Sequence, residues 1–130
     1  MTLMKTSEKA VEFKKRKNCC QAVLLAFAEK LPLDENTLLQ IGSGFGSGMG
    51  GMEATCGALC GACIAAGLMN DTQKPTKMLA RNILNDFQTA CGATLCKDLK
   101  GVSTGKMLCS CDDCVKNAVL ALERAFGMED

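Results

Sequence analysis

The stretch GSGFGSGMGGMEATCGALCGACIAAGLM, Gly42–Met69, decides how this chain folds. Gly42 to Gly51 holds six glycines in ten residues. Glycine weakens helices and strands alike through its backbone freedom, so this run is expected to be a loop. From Glu53 to Met69 the composition turns to Ala, Cys, Leu and Ile, without proline. That segment reads as the central helix, with Glu53 at the end where an acid favours the helix dipole. Cys56, Cys60 and Cys63 fall at i, i+4 and i+7. At about 100° per residue they lie within roughly 60° of one another, so three thiols share one face. Cysteine is also a small hydrophobe, and beside Gly57, Ala58, Gly61 and Ala62 the same stripe permits close helix packing.

Working outward, Ser7 to Lys30 is expected to be helical through Val11, Phe13, Cys19, Cys20, Val23, Leu24 and Phe27. Asn18 is a candidate break, because a charged half gives way there to the apolar QAVLLAF. Pro32 ends this element and Asp34 caps a short helix through Leu38, Leu39 and Ile41. After Asn70-Asp71, a helix starts at Lys74-Pro75 and runs to about Ala90, with Met78, Leu79, Ile83, Leu84 and Phe87 on its apolar face. A short helical turn spans Leu95–Leu99, a second loop Gly101–Gly105, and a last helix about Asp112 to Phe126, stopped by Gly127. No segment alternates with period two. The expected class is all-α: one cysteine-rich domain over residues 1–130, a bundle of about five helices with a glycine-rich loop before the central one.

The chain has 130 residues, 15 Lys+Arg, 14 Asp+Glu and a formal net charge of +1, which gives no global drive toward nucleic acid or anionic membrane. The absence of His excludes histidine-ligated haem, Cys/His zinc fingers, Ser-His-Asp triads and Cys-His dyads. Without Trp or Tyr, stacking platforms for single strands are not expected. Ten cysteines are the anomaly. The first stretch, MTLMKTSEKAVEFKKRKN, is charged throughout and has no apolar core of a secretory signal, so the expected compartment is the cytoplasm, where thiols stay reduced. The uncharged run Ala54–Asn70 is too short and too weakly apolar for a membrane span. Lys14-Lys15-Arg16-Lys17 is a solvated helix face or a docking patch for an acidic partner.

Cys109-Ser110-Cys111-Asp112-Asp113-Cys114 places a C-x2-C pair, Cys111 and Cys114, at an expected helix start, where free amides lower a thiol pKa and the intervening aspartates oppose them. Cys91 and Cys96 are spaced C-x4-C, which makes an irregular zinc ribbon. Adjacent Cys19 and Cys20 point to different helix faces, so one of them joins a given site. Cys56-x3-Cys60-x2-Cys63 also has the spacing of radical S-adenosylmethionine enzymes, but those resemble far larger barrels with the motif in a loop. Gly46-x-Gly48-x-x-Gly51 has dinucleotide-fingerprint spacing, yet it follows a helix rather than a strand and lacks Lys-Ser/Thr. Close approach of this backbone to a helix or a cofactor is the expected use of the loop.

Taken in order, Asn18-Cys19-Cys20-Gln21-Ala22-Val23, the loop Gly42 to Gly50, Thr55-Cys56-Gly57-Ala58-x-x-Gly61-Ala62, Cys96-Lys97-Asp98-Leu99 and Cys114-Val115 resemble the C_GCAxxG_C_C family of redox-active proteins over about residues 7 to 120. The resemblance implies a small helical protein with a redox role, and it carries the family's cysteines onto Cys19, Cys56, Cys96 and Cys114. Cys109 and Cys111 compete with Cys114 for the last position. The chain departs from the pattern in having Cys-Gly-Ala at 56–58, where the family has Gly-Cys-Ala, and in six further cysteines.

The expected function is electron transfer by an iron–sulfur cluster held by converging thiols, since soft all-sulfur ligation suits iron–sulfur or zinc and no His is present. Candidate ligands are Cys19, Cys56, Cys96 and Cys114, with Cys60, Cys63 and Cys111 as alternates. Gly46, Gly48 and Gly50 are the candidate cofactor-facing backbone. The site is expected between the start of the central helix and the segments bearing Cys19, Cys96 and Cys114. A metal-free dithiol carrier and a structural zinc module are the alternatives. A redox protein is the expected partner, with no nucleic acid and no membrane. No acid/base pair stands apart from ordinary surface charge, so no catalytic residue is assigned.

Overall fold

A computed structural model describes residues 4–128. The first expected helix divides at Asn18, giving α1 (Thr6–Lys14) and α2 (Cys19–Ala26). The Asn18 side chain accepts from the Gln21 amide at 2.8 Å while Gln21 reaches back to the Asn18 amide at 3.1 Å, a reciprocal cap that starts a new helix. One 3₁₀ turn, Ala28–Lys30, follows; α3 is Glu35–Gly42, with Asp34 accepting from the Thr37 amide at 2.8 Å. The remaining helices are α4 (Gly57–Met69), α5 (Thr76–Cys91), α6 (Cys96–Lys100) and α7 (Cys111–Ala125).

The expected class is observed, but the count differs: seven α-helices stand among the described residues rather than about five. The cap at Asn18 and the self-standing turn at Cys96–Lys100 account for the difference. A second difference is the start of the central helix. Glu53 lies outside α4, because Thr55 pairs with Leu95 in an isolated antiparallel bridge. The Cys56 amide donates to Thr94 at 2.8 Å and the Cys96 amide to Ala54 at 3.0 Å. These bonds hold 54–56 extended, so Cys56 becomes the cap of α4 instead of an interior residue.

α2 lies at the centre with Cys20, Ala22, Val23 and Leu24 fully buried, and packs most extensively on α4. That contact needs small residues: a Cβ on Gly61 would sit 2.8 Å from the Cys20 carbonyl oxygen. α7 closes the triangle through Val115, Ala118, Val119 and Leu122, while α1, α3 and α5 cover its outside. α5 seats Leu79, Ile83, Phe87 and Cys91 at four-residue steps. Burying a side chain the size of Phe87 contributes about 1.5–3 kcal/mol. No described helix is long and apolar enough to cross a membrane.

Candidate metal and redox site

Four helix starts meet at one cleft, and each brings a cysteine. Cys19 is the first residue of α2, Cys56 caps α4, Cys96 opens α6 and Cys111 opens α7. All four line a cleft of about 230 Å³, whose wall is completed by Lys14, Asn18, Ser47, Met52, Gly57 and Lys100. The placement has local causes. Asn18 fixes Cys19 through its cap and also donates to the Gly42 carbonyl at 3.1 Å, tying α2 to the glycine-rich run. The Thr55–Leu95 bridge fixes Cys56 beside Cys96. Ser110 fixes Cys111 by accepting from the Asp113 amide at 3.1 Å.

The glycine-rich run winds into a tight turn at Gly48–Met52. Ser47 and Met52, both on the cleft wall, adopt left-handed φ of 52° and 61°. A left-handed non-glycine residue costs about 1–3 kcal/mol and persists only where its surroundings hold it. Gly48 has φ +58°, and a Cβ there would lie 2.6 Å from the Cys96 Cβ. Gly46 presses on Asn18, where a Cβ would come within 2.7 Å, whereas Gly50 has open space around it. Two of the three candidate glycines therefore back the residues that form the cleft.

The electrostatics single out Cys56 among the cleft thiols as the one that ionises readily. The Cys56 thiol is lowered to about 7: the Cys114 thiol hydrogen-bonds it, and against the opposing effect of burial the amides of Leu59 and Ala58 and the Lys100 charge add to that. Free amides at a helix start are the physical origin of the second contribution. Burial first, then the Cys111 and Cys56 thiols, push Cys19 up to about 12, and burial raises Cys96. Burial pulls Lys100 down, but its hydrogen bond to Cys111 and the nearby Cys114 and Cys19 thiols outweigh that and leave it raised. Its ammonium lies 3.9 Å from the Cys114 sulfur and 3.4 Å from the Cys109 carbonyl.

Cys114 is fully buried behind the cleft and joins it to a second group. The sulfurs of Cys91, Cys109 and Cys114 lie within 4.8 Å of one another, a buried cluster that could hold a soft metal ion. Cys109 and Cys91 are 3.2 Å apart, and the Asn117 side-chain amide donates to the Cys91 sulfur at 3.4 Å. Hydrogen bonds from Cys114, then, against burial, from Cys109 and Asn117, lower Cys91 to about 6. Its neighbours Cys56 and Cys91 keep Cys114 protonated far above the ordinary thiol range. One S–H proton serves one acceptor at a time, so Cys114 stands between two competing sulfur acceptors.

Of the candidate ligands, Cys19, Cys56, Cys96 and Cys111 come together around the cleft and Cys114 directly behind it. Cys60 and Cys63 continue along α4 half-buried and do not line the cleft, nor does Cys20. Sequence reasoning left Cys91 and Cys109 out of the ligand set and gave Lys100 and Asn117 no part. Cys91 had a signal: it continues the four-residue stripe Leu79, Ile83, Phe87, which points into the core. Cys109 was read only as a competitor of Cys114, and its contact with Cys91 had no signal, since a long-range pairing places it, with its amide and that of Leu108 both donating to the Leu99 carbonyl.

No curated protein and no solved structure matches the chain. Residues 17–125 match the sequence profile of the family described as "Putative redox-active protein (C_GCAxxG_C_C)". That match runs from the residue before Asn18 to the last residue of α7 and takes in every thiol at the cleft. The chain with this four-thiol cleft belongs to the C_GCAxxG_C_C family.

Proposed function

We propose that the protein carries electrons by means of an iron–sulfur cluster held in the cleft by Cys19, Cys56, Cys96 and Cys111. The observation that carries this reading is the convergence of four thiols, each from a separate helix start, on one cleft of about 230 Å³. The donor set fits such a group: four soft sulfur ligands are what a cluster takes. A single zinc ion holds its thiolates at about 2.3 Å, so they gather within about 4 Å of one another. Among the described residues only Cys91, Cys109 and Cys114 gather within 4.8 Å, so the cleft suits a larger group than one ion. The helix starts of α2, α4 and α7 and the Lys100 ammonium offset the negative charge of thiolates and cluster, by about 0.3–1 kcal/mol for each helix end.

A bound cluster supplies one-electron chemistry. The chain's own residues bind it through the four sulfurs and set its charge environment through Lys100 and Lys14, both on the cleft wall. Lys14 also begins the basic run through Lys17, which makes this rim the docking face for an acidic redox partner. Anaerobic purification followed by iron and acid-labile sulfide analysis tests the reading. Equal iron and sulfide with visible sulfur-to-iron absorption is expected. Protein free of both, after reconstitution with iron and sulfide, would refute it.

A further inference from the structure

Cys91 and Cys109 are set apart from the cleft and placed against each other. Their sulfurs are 3.2 Å apart, whereas a disulfide has them at about 2.05 Å, so closing the pair takes a movement of about 1.2 Å. Both positions border a loop. Cys91 is the last residue of α5, followed by Gly92 at φ 92°, and Cys109 ends the loop between α6 and α7. The third sulfur, Cys114, makes a group of three, one short of the four protein ligands a structural zinc site takes. Two N–H donors stand beside it, the Asn117 amide at 3.4 Å from Cys91 and the Lys100 ammonium at 3.9 Å from Cys114, while the further sulfur that Cys114 touches, Cys56, belongs to the cleft. Donors steady sulfur lone pairs but do not ligate metal.

We propose that Cys91 and Cys109 form a second redox centre, a dithiol that closes reversibly to a disulfide and exchanges electrons with an external small-molecule disulfide. In the forward direction each of the two thiols gives up one proton and one electron, and one S–S bond forms between Cys91 and Cys109. The external disulfide takes up both electrons and both protons as its own S–S bond breaks, and leaves as two thiols. Excess external thiol drives the exact reverse of that exchange. Cys91 is 4% and Cys109 6% exposed, and the cover next to Cys109 is the run 102–108, every residue of which is exposed. Closure links the end of α5 to the start of α7 and leaves Cys19, Cys56, Cys96 and Cys111 untouched.

The test is peptide mapping of the full-length chain after equilibration with oxidised glutathione, then after addition of reduced glutathione in excess. A linked peptide pair carrying Cys91 and Cys109 is expected in near-complete yield, lost again on reduction, in cluster-free and cluster-loaded protein alike. Cys109→Ser abolishes the link and leaves iron and sulfide content unchanged. Absence of the link across the whole glutathione range, or links scattered over Cys111 and Cys114, overturns the proposal. So does stoichiometric zinc that protects Cys91, Cys109 and Cys114 together, or loss of the cluster in Cys109→Ser. If that variant does not fold, mapping of the unsubstituted chain decides alone. Failure of the cluster reading shows separately, as absent iron with an intact Cys91–Cys109 link.

Discussion

The cleft thiols and the Cys91–Cys109 pair lie on either side of one sulfur, that of Cys114, and Cys91 stands at the opposite kind of helix end from the cleft thiols. Cys19, Cys56, Cys96 and Cys111 stand at helix starts, where the dipole favours negative charge, and the Ala58 and Leu59 amides face the Cys56 sulfur. Cys91 stands at the end of α5, where the dipole opposes an anion. Side chains do there what the backbone does at the cleft: Cys114, Cys109 and Asn117 together lower Cys91 to about 6 against its burial. The difference separates two kinds of sulfur chemistry. Helix starts arranged around a space suit an anionic group shared by several ligands, and a buried pair in contact suits a bond between two sulfurs.

The sharpest way to break the comparison is to remove one cleft thiol and one thiol outside it. Cys56→Ser is expected to lose nearly all iron and sulfide, because Cys56 is the cap of α4 and a cleft ligand. Cys63→Ser, on the half-buried flank of α4, retains them. Equal loss in both variants, read by metal analysis, would dissolve the distinction between cleft and flank.

The pH response separates the thiols next. In reduced, metal-free protein Cys56 is half ionised near pH 7, its value lowered from 9.0 by Cys114 foremost, while Cys19 is pushed up to about 12. Alkylation at neutral pH is therefore more than about tenfold faster at Cys56 than at Cys19, other access being equal, because the thiolate is the nucleophile. The two also pull stability in opposite directions. Cys56, lowered in the fold, contributes stability that is full above pH 9 and lost as pH falls through 7. Cys19, raised in the fold, contributes stability that is full below pH 9 and lost as pH rises toward 12. Cys114→Ala removes the largest cause at Cys56 and moves its alkylation midpoint up.

Smaller effects probe the scaffold. Gly48→Ala places a methyl group 2.6 Å from the Cys96 Cβ at φ +58°, whereas Gly50→Ala, at φ +91°, meets open space. Both pay the left-handed backbone cost of about 1–2 kcal/mol in denaturant unfolding, and Gly48→Ala also lowers cluster content by displacing Cys96. Ser110→Ala removes the cap of α7 and is expected to cost about 1 kcal/mol with little change in iron.

The helices were legible because their signals are local: apolar spacing in α5, Asp34 and Pro75 at helix starts, Gly127 after the last helix. The start of α4 was not, because Glu53 looks like a first-turn acid and only the distant segment 94–96 holds 54–56 extended. The cleft was partly legible for the same reason. Cys56 beside a glycine run and Cys111 at a helix start could be read from neighbours in sequence. The contact of Cys109 with Cys91, 18 residues away, could not. Nor could the approach of Lys100 to Cys114, 14 residues on, since no local motif specifies it.

The central claim is that four particular thiols, from four helix starts, share one ligand. Site-resolved alkylation tests it most directly, with the reconstituted and the metal-free chain treated under identical anaerobic conditions and all ten cysteines read by mass spectrometry. The account predicts protection of Cys19, Cys56, Cys96 and Cys111 in the reconstituted protein alone. Protection centred on Cys60 and Cys63, or the same pattern in both samples, would contradict it.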